Sequence, residues 1–285
     1  MRCLQARFCI GYPASIEVKP VGLTATDMAA YLKRIGVAEP TKPSIEALTS
    51  LTEAHVTSIP FENLDILLGR PISLDLESLV HKLVLDHRGG YCFEHNTLLC
   101  AVLNTLGYQV AGLAARVGSQ PGKIRPRTHM LLLVDMQSGR QIVDVGFGGD
   151  GLLHPIELRH FASVRSPTSH HRLVFERGEW SLQVEVEGEW TDLYSFDLEP
   201  QHAVDYEVAN HFTSTHPSSP FVSNLTVQRV RPDRRSVLRN RSFTVRQPDR
   251  SYTQALQDAQ QLLALLESEF DLRFPPDTRF RWPEF

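Results

Sequence analysis

Between residues 24 and 107 the apolar positions recur at helical spacing. Met28, Tyr31, Leu32 and Ile35 fall at i, i+3, i+4 and i+7, behind Thr24 and Thr26 and ahead of Gly36, which predicts a capped amphipathic helix. Ile45, Leu48 and Leu51 behind Ser44 predict a second helix over 44–55. Leu76, Leu79, Val80, Leu83 and Val84 after Asp75 predict a third, and Leu98, Leu99, Val102 and Leu106 a fourth that begins near Cys92 and stops at Gly107. The texture then turns to strands over 110–117, 129–135 and 141–145, the last two joined at Ser138-Gly139. A meander follows over 172–176, 180–187 and 190–196, with turns at Arg177-Gly178 and Glu187-Gly188. A helix-like piece over 201–212, an irregular stretch from Thr215 to Phe221, three strand-like runs between 225 and 245, and a closing helix over 252–270 complete the pattern. Short adjacent strands with tight turns point to an antiparallel barrel or sandwich beside the helices.

Composition narrows the class. The hydrophobic share is 42% and the charged share 22%, an ordinary globular balance. Lys+Arg 29 against Asp+Glu 33 gives a net charge of −4, which argues against a nucleic-acid partner. No apolar run reaches the roughly 18 residues of a membrane span, and the first ten residues lack a signal-peptide core, so a cytoplasmic protein without a membrane partner is expected. Cys3, Cys9, Cys92 and Cys100 lack paired metal-ligand spacing, and His170-His171 has no further ligand beside it; no metal is expected. Eight arginines between 225 and 250 read as a solvated face of edge strands.

Chemistry concentrates at three places. Cys92 follows Arg88-Gly89-Gly90-Tyr91, so a glycine turn delivers it to a helix start, where free N–H groups and partial positive charge favour thiolate and can stabilise an oxyanion. Taken alone, it equally fits a buried structural cysteine. Cys100 sits on an apolar stripe and reads as core. His129 opens an apolar strand, and Asp144 lies inside another, where a carboxylate is costly unless paired. A hairpin through Ser138-Gly139 would set these two strands side by side, which makes His129 the natural partner of Asp144. A nucleophile, a base and an orienting carboxylate form a working set.

Four segments carry a family resemblance: Ile59-Pro60-Phe61-Glu62-Asn63-Leu64, Arg88-Gly89-Gly90-Tyr91-Cys92-Phe93-Glu94, Thr128-His129 to Asp144-Val145-Gly146-Phe147-Gly148, and Ser214-Thr215-His216-Pro217 to Phe221. In this order they resemble the arylamine N-acetyltransferases, over roughly residues 24–285. The resemblance implies an α+β fold: an extension over 1–22, a helical bundle over 23–107, an antiparallel β-barrel over 108–213 and an α/β lid over 214–285, around a cysteine-protease-like Cys-His-Asp core. It places the triad on Cys92, His129 and Asp144. It implies ping-pong acetyl transfer from acetyl-CoA to arylamines and arylhydrazines, and to the oxygen of N-hydroxyarylamines, with acetyl-CoA as a substrate and no tightly bound cofactor. Phe61 and Phe147 become candidates for the acceptor pocket. Gly148, Gly149, Thr128, Thr215, His216 and Ser218 become candidates for CoA contacts, and a homo-oligomer is compatible with the family. His95 departs from many relatives and is expected as a substitution on the helix surface. Three other readings stay open: an amide synthase of the same fold, a cysteine amidohydrolase or transglutaminase-like enzyme, and an inactive binder.

Overall fold

The computed structural model describes residues 22–118 and 124–282; the expected extension over 1–22, Gly22 apart, lies outside them. α1 (Ala25–Ile35) begins where the Thr24 hydroxyl accepts from the Asp27 N–H and ends at Gly36 in the left-handed conformation. α2 (Ile45–Ser58) is capped by Ser44. β1 (Phe61–Glu62) and the single turn α3 (Leu64–Leu67) follow, and then α4 (Leu76–Leu79) widens without a break into a π-helical stretch over Val80–Leu85. α5 (Cys92–Thr105) lies at the centre of this part, with ten of its fourteen residues buried. Because Glu94, His95 and Asn96 are among the ten, each must find hydrogen bonds inside the protein.

The second part is an eight-stranded antiparallel sheet in the order β5-β4-β3-β2-β9-β8-β7-β6, curled towards closure where β5 and β6 approach. Its strands are β2 (Gln109–Val117), β3 (His129–Asp135), β4 (Gln141–Val143), β5 (Ile156–Glu157), β6 (Ser163–Ser166), β7 (Ser169–Glu176), β8 (Glu179–Val186) and β9 (Glu189–Phe196). Leu113, Leu131, Leu173 and Leu182 are fully buried inside the curl. Met130, Leu132 and Val134, the alternate residues of β3, instead join the core of α5. β3 is thus apolar on both faces because it separates two cores, and that is why its sequence does not alternate.

α6 (Ala203–Thr215) and the short α7 (Pro220–Ser223) lead to the third part, a five-stranded antiparallel sheet. It comprises β10 (Thr226–Arg231), β11 (Arg234–Arg239), β12 (Ser242–Arg246) and β13 (Ser251–Ala255), with β1 contributed from the N-terminal part as an edge. α8 (Ala259–Phe270) packs its Leu262, Leu266 and Phe270 against the sheet's Val227, Leu238 and Phe243.

Three expectations change here. The closing helix starts at Ala259, not 252: residues 251–255 form an exposed strand paired with β12, and Asp258 caps the helix through the Gln261 N–H. Leu256, within the span expected to be helical, is a buried residue just after that strand. The helix before the irregular stretch runs on to Thr215, so a boundary between 213 and 214 would cut through α6. The arginines do not form a uniformly solvated face. Arg235 is 3% exposed and donates to Thr168, Ser169 and the Gly151 carbonyl, while Arg231 and Arg234 pair with Glu269 and Arg246 with Asp150.

Candidate active site

Cys92 is the first residue of α5 and 3% exposed. The turn that delivers it is shaped by crowding. Neither Gly89 nor Gly90 has a positive φ; the left-handed residue is His87, at 54°. A Cβ on Gly89 would run into the Pro60 carbonyl, and one on Gly90 would come within 2.7 Å of Glu94 Oε2. The glycines therefore allow the nucleophile turn to lie against β1, where the Glu62 N–H donates to the Gly90 carbonyl at 2.7 Å.

Beneath this turn lies a buried charge cluster. Arg88 donates to Glu62 at 2.6 Å and to Asp65 at 3.2 Å, and Lys82 to Asp65 and Glu94 at 2.7 Å each. Glu94 also accepts the Tyr91 N–H at 3.0 Å, which caps α5 just ahead of Cys92. Glu62 is fully buried. Replacing Arg88 by Met would leave its charge unpaired, for an expected loss of about 3–5 kcal/mol. Thermal unfolding should show a Tm lowered by roughly 10 °C; an unchanged Tm would mean that the cluster is stabilised without Arg88.

On its other side Cys92 meets the barrel. The thiol stands 3.6 Å from the carbonyl oxygen of Thr128, the residue before His129, and is near enough to the imidazole to act on its charge. Pairing of Leu132 with Val143 in β3 and β4 sets Asp144 diagonally across from His129, and Asp144 Oδ2 lies 2.7 Å from His129 Nε2. Since Nε2 faces the carboxylate, Nδ1 is left for the cysteine. Asp144 Oδ1 accepts from Asn96 Nδ2 at 3.1 Å and from the Gly146 N–H at 2.9 Å. Gly146 has no room for a side chain, because a Cβ would sit 2.6 Å from Cys92 Cα. Burial alone would favour neutral histidine, but the Asp144 charge outweighs it and raises the His129 pKa to about 10. Asp144, also opposed by burial, is held below the usual carboxylate range by His129, Asn96 and Gly146.

Two residues of this constellation escaped sequence reasoning. Asn96 is four residues after Cys92 on the same helical face; its amide also donates to the Met130 carbonyl, and its Oδ1 accepts the Val145 N–H. A polar residue in an apolar stripe was the available signal. Tyr194 packs on His129 with ring centroids 4.9 Å apart and planes tilted by 41°, its buried hydroxyl has no hydrogen-bond partner among the described residues, and it comes from a distant strand that no local pattern connects to Cys92.

The remaining candidates divide. Phe147 packs edge-on against His129 at 5.2 Å. Phe61, Phe147 and Gly148 line one gap, yet its volume is about 10 Å³, room for a water and not for an aryl ring. A larger cleft of about 350 Å³ opens on the Thr128 side, lined by Phe93, Arg127, Thr128, Tyr206, Val208 and Phe212. Gly148 and Gly149 pack against Gln228, whose Oε1 accepts the Gly149 N–H. Thr215, His216 and Ser218 are exposed at the end of α6, where Thr215 bonds back to the His211 carbonyl and His216 to Ser218. Cys100 is half-buried, and burial pushes its thiol up. Among the described residues no cluster of side chains could hold a metal ion, and no helix is long and apolar enough to cross a membrane.

The histidines set the pH dependence of stability. His129 is raised above the ordinary 6.5, so its contribution is full below pH 6.5 and is lost as pH climbs through 10. His95 and His171 are each lowered to about 4 by burial, so theirs is full above 6.5 and fades as pH falls towards 4. Denaturation midpoints measured from pH 4 to 10 should peak near 6.5; a plateau across that span would contradict this assignment.

Comparison with known proteins gives a consistent picture. A family described as N-acetyltransferase matches residues 44–278. An arylamine N-acetyltransferase of Mycolicibacterium smegmatis is 39% identical over 254 residues, 87% of this chain and 92% of that one. A protein of Salmonella typhimurium named arylamine N-acetyltransferase / N-hydroxyarylamine O-acetyltransferase is 39% identical over 85% of this chain and 88% of its own. The structure of a Mycobacterium marinum arylamine N-acetyltransferase in complex with CoA superposes with a TM-score of 0.82 at 36% identity, covering 86% of this chain and 92% of that one.

Proposed function

The chain belongs to the arylamine N-acetyltransferase family, and from that premise we propose that Cys92 carries an acetyl group from acetyl-CoA to the nitrogen of arylamines and arylhydrazines, and to the oxygen of N-hydroxyarylamines. The observation that supports this most directly is the His129–Asp144 pair, buried and bonded at 2.7 Å, beside a cysteine at the start of a helix.

In this mechanism the Cys92 sulfur, its proton held by His129, attacks the thioester carbonyl. The first N–H groups of α5 stabilise the oxyanion. The intermediate collapses by breaking the carbon–sulfur bond to CoA, which leaves with the proton from His129. The amine then attacks acetyl-Cys92, gives its proton to His129 and departs as the amide, freeing the cysteine. Asp144 fixes the orientation of the imidazole and balances its positive charge; Asn96 fixes Asp144. The acceptor ring is assigned to the cleft beside Thr128, which has the volume that the gap between Phe61 and Phe147 lacks. Phe147 then acts from behind His129. Thr128, Gly148, Gly149, Thr215, His216 and Ser218 are proposed as CoA contacts, the helical part over 23–107, the barrel part that follows it and the lid that begins after α6 as the three structural units, and the cytoplasm as the setting.

The test is the intact mass of the protein mixed with acetyl-CoA and no acceptor. One added acetyl group, retained until an arylamine or hydrazine is supplied and then lost with formation of the amide, is the expected result. Loss to water at the same rate would instead favour an amidohydrolase, and no adduct at all would remove acetyl-CoA as the donor.

A further inference from the structure

Behind the nucleophile turn runs a line of buried polar side chains that the transfer mechanism does not use. Tyr31 of α1, His55 of α2 and His95 of α5 are each no more than 1% exposed. The Tyr31 hydroxyl is 2.9 Å from His55 Nδ1, and His55 Nε2 is 2.9 Å from His95 Nδ1. His95 Nε2 reaches two backbone oxygens, Gly90 at 3.1 Å and Pro60 at 3.3 Å. His95 is therefore not on the helix surface. It sits inside the bundle, parallel to the Phe61 ring at 6.4 Å.

Chemistry allows this line only one placement of protons. Both partners of His95 Nε2 are carbonyl oxygens, which only accept, so Nε2 carries the hydrogen. If neutral, His95 then presents a bare Nδ1, which accepts from His55 Nε2–H. His55 Nδ1 is bare in turn and accepts from the Tyr31 hydroxyl. Each hydrogen points towards Cys92's turn, and each choice is forced by the one ahead of it. A proton added to His95 Nδ1 would set N–H against N–H, and one added to His55 Nδ1 would reverse the first bond of the line, turning the Tyr31 oxygen into an acceptor. The charged groups acting on the line oppose one another: Arg34 and Lys82 disfavour a further positive charge, while Glu62 favours one. Burial adds to the first two and keeps both rings neutral.

The two carbonyls at the end of the line belong to the two strands of chain that meet at the nucleophile. Phe61 and Gly90 form a bridge, and Gly90 lies two residues before Cys92. We propose that His95, its hydrogen aimed by Tyr31 through His55, is a positioning residue that clamps the Gly90 and Pro60 carbonyls and so sets where the Cys92 sulfur stands relative to His129. This rests on the reading of Cys92 as the nucleophile. The same helix thus carries the nucleophile, the clamp on its turn at His95, and the support of Asp144 at Asn96.

The placement of hydrogens is tested without reference to activity, by nitrogen-15 NMR of histidine-labelled protein at neutral pH. Both His55 and His95 should be neutral with hydrogen on Nε2; hydrogen on Nδ1 of His95, or a cationic His95, overturns the proposal. The positioning role is tested by single-turnover acetylation of Cys92 at saturating acetyl-CoA. His95→Leu, which removes donor and acceptor, should slow acetylation about tenfold or more while leaving the half-saturating concentration unchanged, as expected for a sulfur displaced by a fraction of an ångström. His95→Gln, whose amide can donate to the carbonyls and accept from His55, should recover most of the rate. Tyr31→Phe, a milder change far from the sulfur, should slow acetylation and shift the His55 nitrogen signals. If all three variants acetylate at the wild-type rate, the line is only packing, even though acetyl-Cys92 forms and the transferase reading stands.

Discussion

Cys92→Ala is expected to take up no acetyl group from acetyl-CoA and to form no amide from any acceptor. The substitution removes the sulfur and little else. The thiol's hydrogen bond is to the Thr128 carbonyl, and the cap of α5 is made by Glu94 and the Tyr91 N–H, which the change leaves alone. The fold should therefore survive, with a cooperative unfolding transition close to that of wild type. Cys100 cannot substitute: it is on another turn of α5, half-buried, with its thiol pushed up by burial and its sulfur accepting from Asn104. Intact mass before and after mixing reads the outcome, and peptide mapping locates any adduct. A wild-type yield of acetylated Cys92→Ala would show that the nucleophile lies elsewhere in the chain.

Asp144→Asn is expected to lower acetylation by a factor on the order of 10³, with a native fold. The argument turns on which oxygen is already claimed. Asn96 Nδ2 and the Gly146 N–H both donate to Oδ1, so an asparagine here must keep its carbonyl oxygen on that side. Its amide nitrogen then faces His129 Nε2 and donates to it. The imidazole must accept at Nε2 and carry its hydrogen on Nδ1, the nitrogen left for Cys92. That tautomer cannot take a proton from the cysteine, and without the carboxylate the imidazolium loses the partner that raised its pKa to about 10. The pH–rate profile should lose the limb set by His129 as well as its height. Activity within tenfold of wild type would show that Asp144 does not set the orientation of His129.

The charge cluster under the turn and the line of histidines behind it serve different ends. Glu62, Asp65 and Glu94 are paired with Lys82 and Arg88 at 2.6–3.2 Å, with Arg70 adding a third cation on Asp65 at 3.4 Å, and the expected cost of breaking these pairs is global stability. The Tyr31–His55–His95 line holds no net charge, and the expected effect of breaking it is local, on the rate at one sulfur.

Much of the fold could be read in the chain because local rules agreed with the global outcome. The caps at Thr24 and Ser44, the turn at Ser138-Gly139 and the meander turns at Gly178 and Gly188 stand where the sequence put them. Reading failed where a local pattern served a distant partner. The closing helix was expected from 252, yet residues 251–255 are held as a strand by pairing with β12, and a helix cannot supply those bonds. His95 resembled a surface substitution because a single sequence does not reveal that Tyr31 and His55, from two other helices, supply its hydrogen-bond partner chain. Arg235 resembled its neighbours until the β6–β7 turn, some 66 residues away in sequence, covered it.

By itself, then, the sequence determined the candidates and their order: which cysteine opens a helix, which histidine and aspartate occupy apolar strands and need each other, and the order of helices and strands. These follow from spacing along one chain, because helix starts, strand alternation and the cost of an unpaired buried carboxylate are local properties. Only the tertiary structure decided geometry: that Nδ1 and not Nε2 of His129 is left for Cys92, that Asn96 claims one oxygen of Asp144, that the room for a ring lies beside Thr128, and that a tyrosine on the first helix aims the hydrogen that clamps the nucleophile turn. Each depends on contacts between residues far apart in the chain, and the direction of a hydrogen bond is defined only once both partners are in place.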